Sequence, residues 1–528
     1  MKTLLKSLMM CCLLASSLIY LSGCKDDDDP GPQLTGDSKT YVLGPVSNAA
    51  ISGTVTFAER DDDQVLITIQ LTGTQSGGTH PAHIHANSAA EGGGIVLDLT
   101  DINGATGKSE TIVKALNDDT PLTYDELLAF DGYVNVHLSA SDLGTLIAQG
   151  DIGENELTGD TKVYTLGPVS NPAISGTATF AKRVNGETLV TVSLIGTTAG
   201  DSHPSHIHAS SAAKGGGIVI DLNDIDGTTG KGRTSVTALN DATPITYDQL
   251  VDFDGYLNVH LSDTDLGTLI AQGDIGQNEL TGDSKVYTLT PVADPAVTGT
   301  ATFAKRKNGT TLVTVALTGT TPGATHNSHI HSNTVADGGQ PIVINLTAVN
   351  GTTGIARTSV TKLNDVGTTV GAPITYEELL NFNGYLNVHV GSSFVAQGDI
   401  GQNELTGVTK VYPLNEVGGS GVSGTATFAK RKSGKALITL SLQGTTAGGD
   451  HPAHIHANNA ATGGGIVLDL KNVNGTTGMS ATSANAFNST TATTYDELVA
   501  YNGYINVHLS PTVLGTLVVQ GNIGSNAP

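Results

Sequence analysis

The sequence predicts an all-β chain made of four tandem antiparallel β-sandwich domains, each with one short helix. The 528 residues include 66 glycines and no tryptophan, and polar and apolar residues alternate in short runs. This composition favours short strands joined by tight turns. A Leu-Thr-Gly motif opens four similar segments, at Leu34, Leu157, Leu280 and Leu405. Seven or eight short strands in each segment favour a closed β-sandwich.

The four repeats define the expected domains. They cover residues 34–156, 157–279, 280–404 and 405–528. A repeat of this length is too long for a solenoid unit and fits an independent small domain. The linkers between repeats are very short, so we expect the domains to follow one another closely.

Alternation of polar and apolar residues predicts eight strands in the first repeat. They are expected near residues 39–43, 52–59, 65–71, 82–86, 94–99, 109–115, 133–138 and 146–151. Thr123 and Glu126 have the spacing of a capping box, which predicts a short helix that Gly132 would end. The same box recurs at Thr246 and Gln249, Thr375 and Glu378, and Thr494 and Glu497.

Two segments precede the first repeat. Residues 1–23 have a basic start, an apolar run and a small-residue end, as secretory signals do. The sequence Leu-Ser-Gly before Cys24 resembles a bacterial lipobox, which implies that Cys24 carries a lipid; the alternative is an ordinary signal peptide. Residues 24–33 predict an acidic tether. We expect an exported protein held by this lipid at the outer membrane or cell surface.

Charge and cysteine content restrict the partners. The formal net charge of −24 argues against nucleic acid as a partner and suits a surface that attracts cations. The three cysteines all lie at or before Cys24. Thiolate metal sites and disulfides are therefore excluded from the repeats. A metal bound there would need imidazole, carboxylate, carbonyl or water ligands.

All 16 histidines belong to one recurring arrangement, four in each repeat. In the first repeat, His83 and His85 are two apart on a predicted strand, so both rings project from one face. His80 lies just before them, and His137 comes from a later strand. The candidate metal ligands are His80, His83, His85, His137, His203, His206, His208, His260, His326, His329, His331, His389, His451, His454, His456 and His508.

Three or four neutral imidazoles suit Zn²⁺ or Cu²⁺ and do not suit Ca²⁺ or Mg²⁺. A metal-bound histidine usually donates its other N–H to an oxygen acceptor. The candidate supporting residues are Asp98, Asn135, Asp221, Asn258, Asn345, Asn387, Asp469 and Asn506. Two alternatives stay open: histidines that only make structural hydrogen bonds, and a metal-free catalytic histidine.

The order of motifs resembles the CHRD domain, a family named from chordin. In the first repeat the motifs are Ser-Gly-Thr-Val-Thr-Phe at 52–57, Thr-His-Pro-Ala-His-Ile-His at 79–85, Gly-Ile-Val at 94–96, Tyr-Asp-Glu-Leu at 124–127 and Gly-Tyr-Val-Asn-Val-His at 132–137. All four repeats carry this pattern, here in a bacterial lipoprotein context. The resemblance implies an extracellular β-sandwich. Two departures are Gln149, where the family often has arginine, and Asn327, which replaces a proline.

These observations predict a lipid-anchored surface protein with a binding or structural role and one His-ligated Zn or Cu ion in each repeat. The partners would be the membrane, through Cys24, and an extracellular protein. Nothing near the histidines supplies a nucleophile or an acid–base pair, so we predict no catalytic residue. One alternative is a copper-dependent superoxide-type oxidoreductase, because His-x-His on a sandwich strand also resembles copper-zinc superoxide dismutase. The other alternative is a metal-free adhesion module with structural histidines.

Overall fold

The computed structural model describes residues 31–527. The predicted signal segment, Cys24 and the tether as far as residue 30 lie outside the described residues. The chain divides after Leu157 into two compact units. In the part of the chain that is described, no helix is both long and apolar enough to cross a membrane.

The first repeat contains eight strands and one helix, and each predicted strand overlaps an observed one. The strands are β1 (Leu34–Pro45), β2 (Ser52–Arg60), β3 (Val65–Thr72), β4 (Thr79–Ala86), β5 (Ile95–Asn103), β6 (Lys108–Val113), β7 (Asp131–Ser139) and β8 (Asp142–Gly153). Helix α1 (Tyr124–Leu128) connects β6 to β7.

The other three repeats have the same order of elements. The second contains β9 (Leu157–Pro168), β10 (Ser175–Arg183), β11 (Thr188–Ile195), β12 (Ser202–Ala209), β13 (Ile218–Asp226), β14 (Lys231–Val236), α2 (Tyr247–Val251), β15 (Asp254–Ser262) and β16 (Asp265–Gly276). The third contains β17 (Leu280–Pro291), β18 (Thr298–Arg306), β19 (Thr311–Thr318), β20 (Thr325–Ser332), β21 (Ile342–Asn350), β22 (Ile355–Val360), α3 (Tyr376–Leu380), β23 (Asn383–Val390) and β24 (Ser393–Gly401). The fourth contains β25 (Leu405–Glu416), β26 (Ser423–Arg431), β27 (Ala436–Gln443), β28 (Asp450–Ala457), β29 (Ile466–Asn474), β30 (Met479–Ala484), α4 (Tyr495–Ala500), β31 (Asn502–Ser510) and β32 (Val513–Gly524).

Each repeat forms a closed antiparallel barrel, with the strand order β1-β2-β3-β6-β5-β4-β7-β8 in the first. The all-β prediction with one short helix per repeat is confirmed, but the prediction of a sandwich is wrong. The barrel closes through narrow seams: Asn103 alone pairs with Lys108, and Gly44 and Pro45 pair with β8. The barrel closes because β1 is long: its residues up to Leu43 pair with β2, and its last two residues pair with β8. A seam of one or two residue pairs leaves no sequence pattern.

The capping boxes are present on all four helices, as predicted. In the first, the Thr123 side chain accepts from the Glu126 N–H while the Glu126 carboxylate accepts from the Thr123 N–H. The expected end of the helix is wrong, because α1 stops with its C-cap at Ala129. Gly132 lies instead within β7, where an added Cβ would approach the His85 carbonyl oxygen to 2.8 Å. Glycine there allows β7 to pack closely against β4.

The two sides of β4 have different neighbours. Ala82 and Ile84 are fully buried in the apolar core, and a side chain of the size of Ile84 contributes about 1.5–3 kcal/mol when buried. His83 and His85 alternate with them and therefore project from the outer side of the barrel. Strand β7 follows the same rule, with Val134 and Val136 in the core. The barrel thus holds the histidines on its outer surface.

Buried arginines join consecutive repeats within the second unit. Arg306 is fully buried, and its Nη2 donates to Asp274 Oδ2 at 2.8 Å. Its Nη1 donates to Asn278 Oδ1 at 3.2 Å, so both acceptors belong to the preceding repeat. Arg431 pairs in the same way with Asp399 at 2.6 Å. Such a pair is costly to break, because the remaining charge stays buried without a partner.

Replacing Arg306 with alanine should lower the free energy of unfolding of the second unit by about 3 kcal/mol, since Asp274 loses its counter-ion. The midpoint of chemical denaturation measures this loss. The matched control is Arg357→Ala, which removes an exposed arginine from the same repeat and should shift the midpoint little. Equal shifts in the two variants would contradict the importance of the junction.

Candidate metal centre

Three histidines converge on the outer surface of the first barrel. One ring nitrogen from each of His83, His85 and His137 lies within 4.8 Å of the others. Strands β4 and β7 are neighbours, and they place His83 opposite Asn135 and His85 opposite Tyr133. A bulge follows Val136 and shifts the register of His137 against β8. Two residues from one strand and one from its neighbour thus form a compact set of donors.

Backbone carbonyls fix the tautomers of two of these rings. His85 Nδ1 donates to the Gly93 oxygen at 2.9 Å, and His137 Nδ1 donates to the Leu143 oxygen at 2.6 Å. A carbonyl can only accept, so the proton lies on Nδ1 and the lone pair lies on Nε2. This is how metal-bound histidines are usually held. His137 Nε2 is buried with no protein partner among the described residues.

His83 has the opposite orientation. Its Nε2 lies 3.7 Å from the exposed Asp98 Oδ1, while its Nδ1 is buried without a partner in the described chain. In the fourth repeat the equivalent His454 Nδ1 lies 3.2 Å from His508 Nε2. The ligand atoms are therefore Nδ1 of the first histidine and Nε2 of the other two. Asp98 lies where a carboxylate can orient the outer nitrogen of His83.

We expected Asn135 to accept a hydrogen bond from the N–H of a ligand histidine, but it supports the site in a different way. Gln149 Nε2 donates to Asn135 Oδ1 at 2.9 Å, which turns the Asn135 Nδ2 toward His85 Nε2 at 3.4 Å. The Tyr133 ring stacks on His85, with centroids 4.9 Å apart. The acceptors of the ligand N–H groups are backbone carbonyls. Carbonyls have no residue signature, so sequence reasoning missed them.

The fourth histidine of the repeat is not part of the converging set. His80 is buried, and its Nδ1 donates at 2.8 Å to the oxygen of Leu138, near the end of β7. Its Nε2 lies beside Gly78, where an added Cβ would approach it to 2.9 Å. Three of the four predicted ligands therefore converge, because a register shift after His80 separates it from the pair on β4.

The second and fourth repeats form the same triad, and the third does not. The other two triads found among residues 31–527 are His206, His208, His260 and His454, His456, His508. Asp221 and Asp469 lie 3.7 Å from their histidines, as Asp98 does. Asn258 and Asn506 take the position of Asn135. His203 and His451 stay outside the triads, and in the third repeat His326, His329, His331 and His389 form no such group.

Burial favours the neutral form of the first histidine in each triad. It lowers the pKa of His83, and the neighbouring His137 lowers that pKa further. The same causes lower the pKa of His206 and His454. Burial also lowers the pKa of His137, although its hydrogen bond to the Leu143 carbonyl opposes this shift. Neutral imidazole is the form that coordinates a metal.

The family model of the CHRD domain matches residues 33–146 and 402–511. The first and fourth repeats are CHRD domains. Both matched segments contain a complete triad, in the first and fourth repeats. The second and third repeats lie outside the match but form barrels with the same strand order. No match was found among curated proteins or among solved structures.

In the metal-free protein, the free energy of unfolding should fall as the pH drops below about 6.5. The folded-state pKa of His83, His206 and His454 lies below the unfolded value. Between the folded-state and unfolded-state pKa values, the unfolded chain binds more protons, so acid favours unfolding. Above the unfolded-state pKa these three histidines are neutral in both states. Denaturation midpoints in a chelator, from about pH 8 to 5, measure the slope.

Protonation of carboxylates also changes the free energy of unfolding in this pH range. A variant without the three histidine titrations therefore isolates their contribution. The triple variant His83→Gln, His206→Gln, His454→Gln removes these titrations while keeping hydrogen-bonding side chains of similar size. Its midpoint should depend less on pH than that of the unaltered chain. If the midpoint changed with pH by the same amount in both proteins, the pH dependence could not be assigned to these three histidines.

Proposed function

We propose that this chain is a surface-exposed metal-binding protein, in which each repeat with a histidine triad holds one Zn²⁺ or Cu²⁺ ion through three imidazoles. The observation that carries the proposal is the orientation of the rings. In the first repeat, His85 and His137 each donate Nδ1–H to a carbonyl and turn Nε2 toward the site, where His85 Nε2 lies 3.4 Å from Asn135 Nδ2. His83 brings a buried Nδ1 without a protein partner in the described chain.

Chemistry and charge both support this assignment. Three neutral nitrogen donors suit Zn²⁺ and Cu²⁺, whereas Ca²⁺ and Mg²⁺ require oxygen donors. Buried nitrogens that lack a partner cost free energy unless an ion or water satisfies them. The net charge of −24 raises the local concentration of cations near the surface.

The role that we propose is binding or structural. Three protein ligands leave a fourth position of a tetrahedral ion open. His83, with 14% of its side chain exposed, forms the solvent-facing edge of the triad. A carboxylate or imidazole from an extracellular protein could complete the coordination there. The repeats would then act as metal-dependent contact points, with no nucleic acid as a partner.

Replacing both His206 and His208 with alanine should reduce the bound metal by one ion per chain, because the second repeat loses two of its three ligands. Equilibrium dialysis of the full chain against Zn²⁺, followed by elemental analysis, gives the count. His203→Gln is the matched control, since His203 has the position of His80 outside the triad, and it should leave the count unchanged. A chain that binds neither zinc nor copper would refute the proposed function.

We also propose that the protein is anchored in the outer membrane or cell surface by a lipid on Cys24. This proposal rests on the sequence alone, through the apolar segment that ends in Leu-Ser-Gly-Cys and the acidic run that follows it. A tether rich in aspartate would hold the first repeat away from the membrane and keep its site accessible.

Cys24→Ser should abolish incorporation of a labelled fatty acid and release the protein from the membrane fraction. The control is Cys11→Ser, which removes a cysteine from the apolar segment and should leave labelling intact. Labelling that survives in the Cys24 variant would contradict the anchor.

A further inference from the structure

The third repeat has a shorter hairpin after its last histidine. Four residues, 390–393, separate His389 from Phe394, its partner on β24. In the second repeat, eight residues, 261–268, separate His260 from Leu269. The first and fourth repeats share the longer form, with His137 opposite Leu146 and His508 opposite Leu517.

The longer hairpin supplies carbonyls that hold histidines. In the second repeat, the Leu266 oxygen accepts from His260 Nδ1 at 2.7 Å, and the Leu261 oxygen accepts from His203 Nδ1 at 2.8 Å. The short hairpin has no residue equivalent to Leu266. His389 Nδ1 donates instead to Gly391, only two residues away, at 2.7 Å.

In the third repeat His389 Nε2 still lies 3.2 Å from His329 Nδ1, but the surroundings of the other histidines and the burial of His389 differ. His389 is partly exposed, whereas His137, His260 and His508 are buried. Both nitrogens of the buried His326 lack a partner among the described residues. Phe394 replaces the leucine found at this position elsewhere, and its ring stands edge-on to His389, with centroids 6.1 Å apart.

His331 has different neighbours from the equivalent histidines. Its Nδ1 lies 2.6 Å from the Gln340 oxygen, and its Nε2 lies 3.2 Å from Asn387 Oδ1. Its Nε2 thus faces an amide oxygen, whereas Nε2 of His85, His208 and His456 faces an amide nitrogen. In the other repeats a glutamine orients the asparagine so that its amide nitrogen faces the ring. The third repeat also has the neutral Asn345 where the others have an aspartate beside the first histidine.

We propose that the length of the hairpin after the last histidine determines which repeats bind metal, so that the first, second and fourth repeats bind an ion and the third does not. This inference rests on the proposed function and adds a positioning element to it. The long hairpin supplies a leucine carbonyl to the Nδ1 of the last ligand and leaves that ring buried, whereas the short hairpin leaves His389 partly exposed.

The test compares metal counts in variants of the full chain, with Zn²⁺ as the probe. The unaltered chain should bind three ions. His329→Ala with His331→Ala should leave this count at three, whereas the same change at His206 and His208 should lower it to two. Four ions in the unaltered chain, with one lost in the His329 and His331 variant, would overturn the inference while leaving the proposed function intact. Absence of any bound ion would refute the proposed function itself.

A loop exchange tests the hairpin directly. Replacing residues 390–393 with the sequence of residues 261–268 should raise the count from three to four, and His329→Ala with His331→Ala in that background should return it to three. The reverse exchange, which places the short hairpin in the second repeat, should lower the count to two. Circular dichroism and thermal melting verify folding. Folded variants of both exchanges that keep three ions would overturn the role of the hairpin.

Discussion

Side-chain alternation along β4 is the constraint on which the rest of each repeat depends. Ala82 and Ile84 are in the core, so His83 and His85 must project outward together. A slip of one residue would place two imidazoles in the apolar core and two apolar side chains on the outer side of the barrel. The core contacts that stabilise the barrel therefore also set the direction of the ligands. Stability and site geometry are determined by the same strand register.

Much of this arrangement could be predicted from the sequence. Alternation located the strands, and the spacing of Thr123 and Glu126 located the helix, because both signals are local. The pair His83 and His85 was correctly placed on one face for the same reason. Closure of the barrel was not predicted, since Gly44 and Pro45 meet β8 through only two residue pairs. Long-range pairing of so few residues has no periodicity in the sequence.

The errors at the site have a common origin in the backbone. His80 was grouped with the ligands because it is near them in the sequence, but a register shift after it separates its ring from the other three. Any residue type can supply a carbonyl, so composition and motifs do not reveal these acceptors. The shorter third hairpin could have been found by aligning the four repeats after His137, His260, His389 and His508. The length of this hairpin could be read from the sequence. The equal number of histidines in every repeat made the four repeats look equivalent.

The buried arginines have a consequence for how such an array can change in evolution. Each junction in the second unit joins an arginine near the start of one repeat to an aspartate at the end of the one before it, as Arg306 and Asp274 show. Duplication of a whole repeat adds one arginine and one aspartate, so every pair stays complete. A deletion that removes part of a repeat would leave a buried ion without its counter-charge. Selection on stability would therefore favour the gain and loss of whole repeats, and with them whole binding sites.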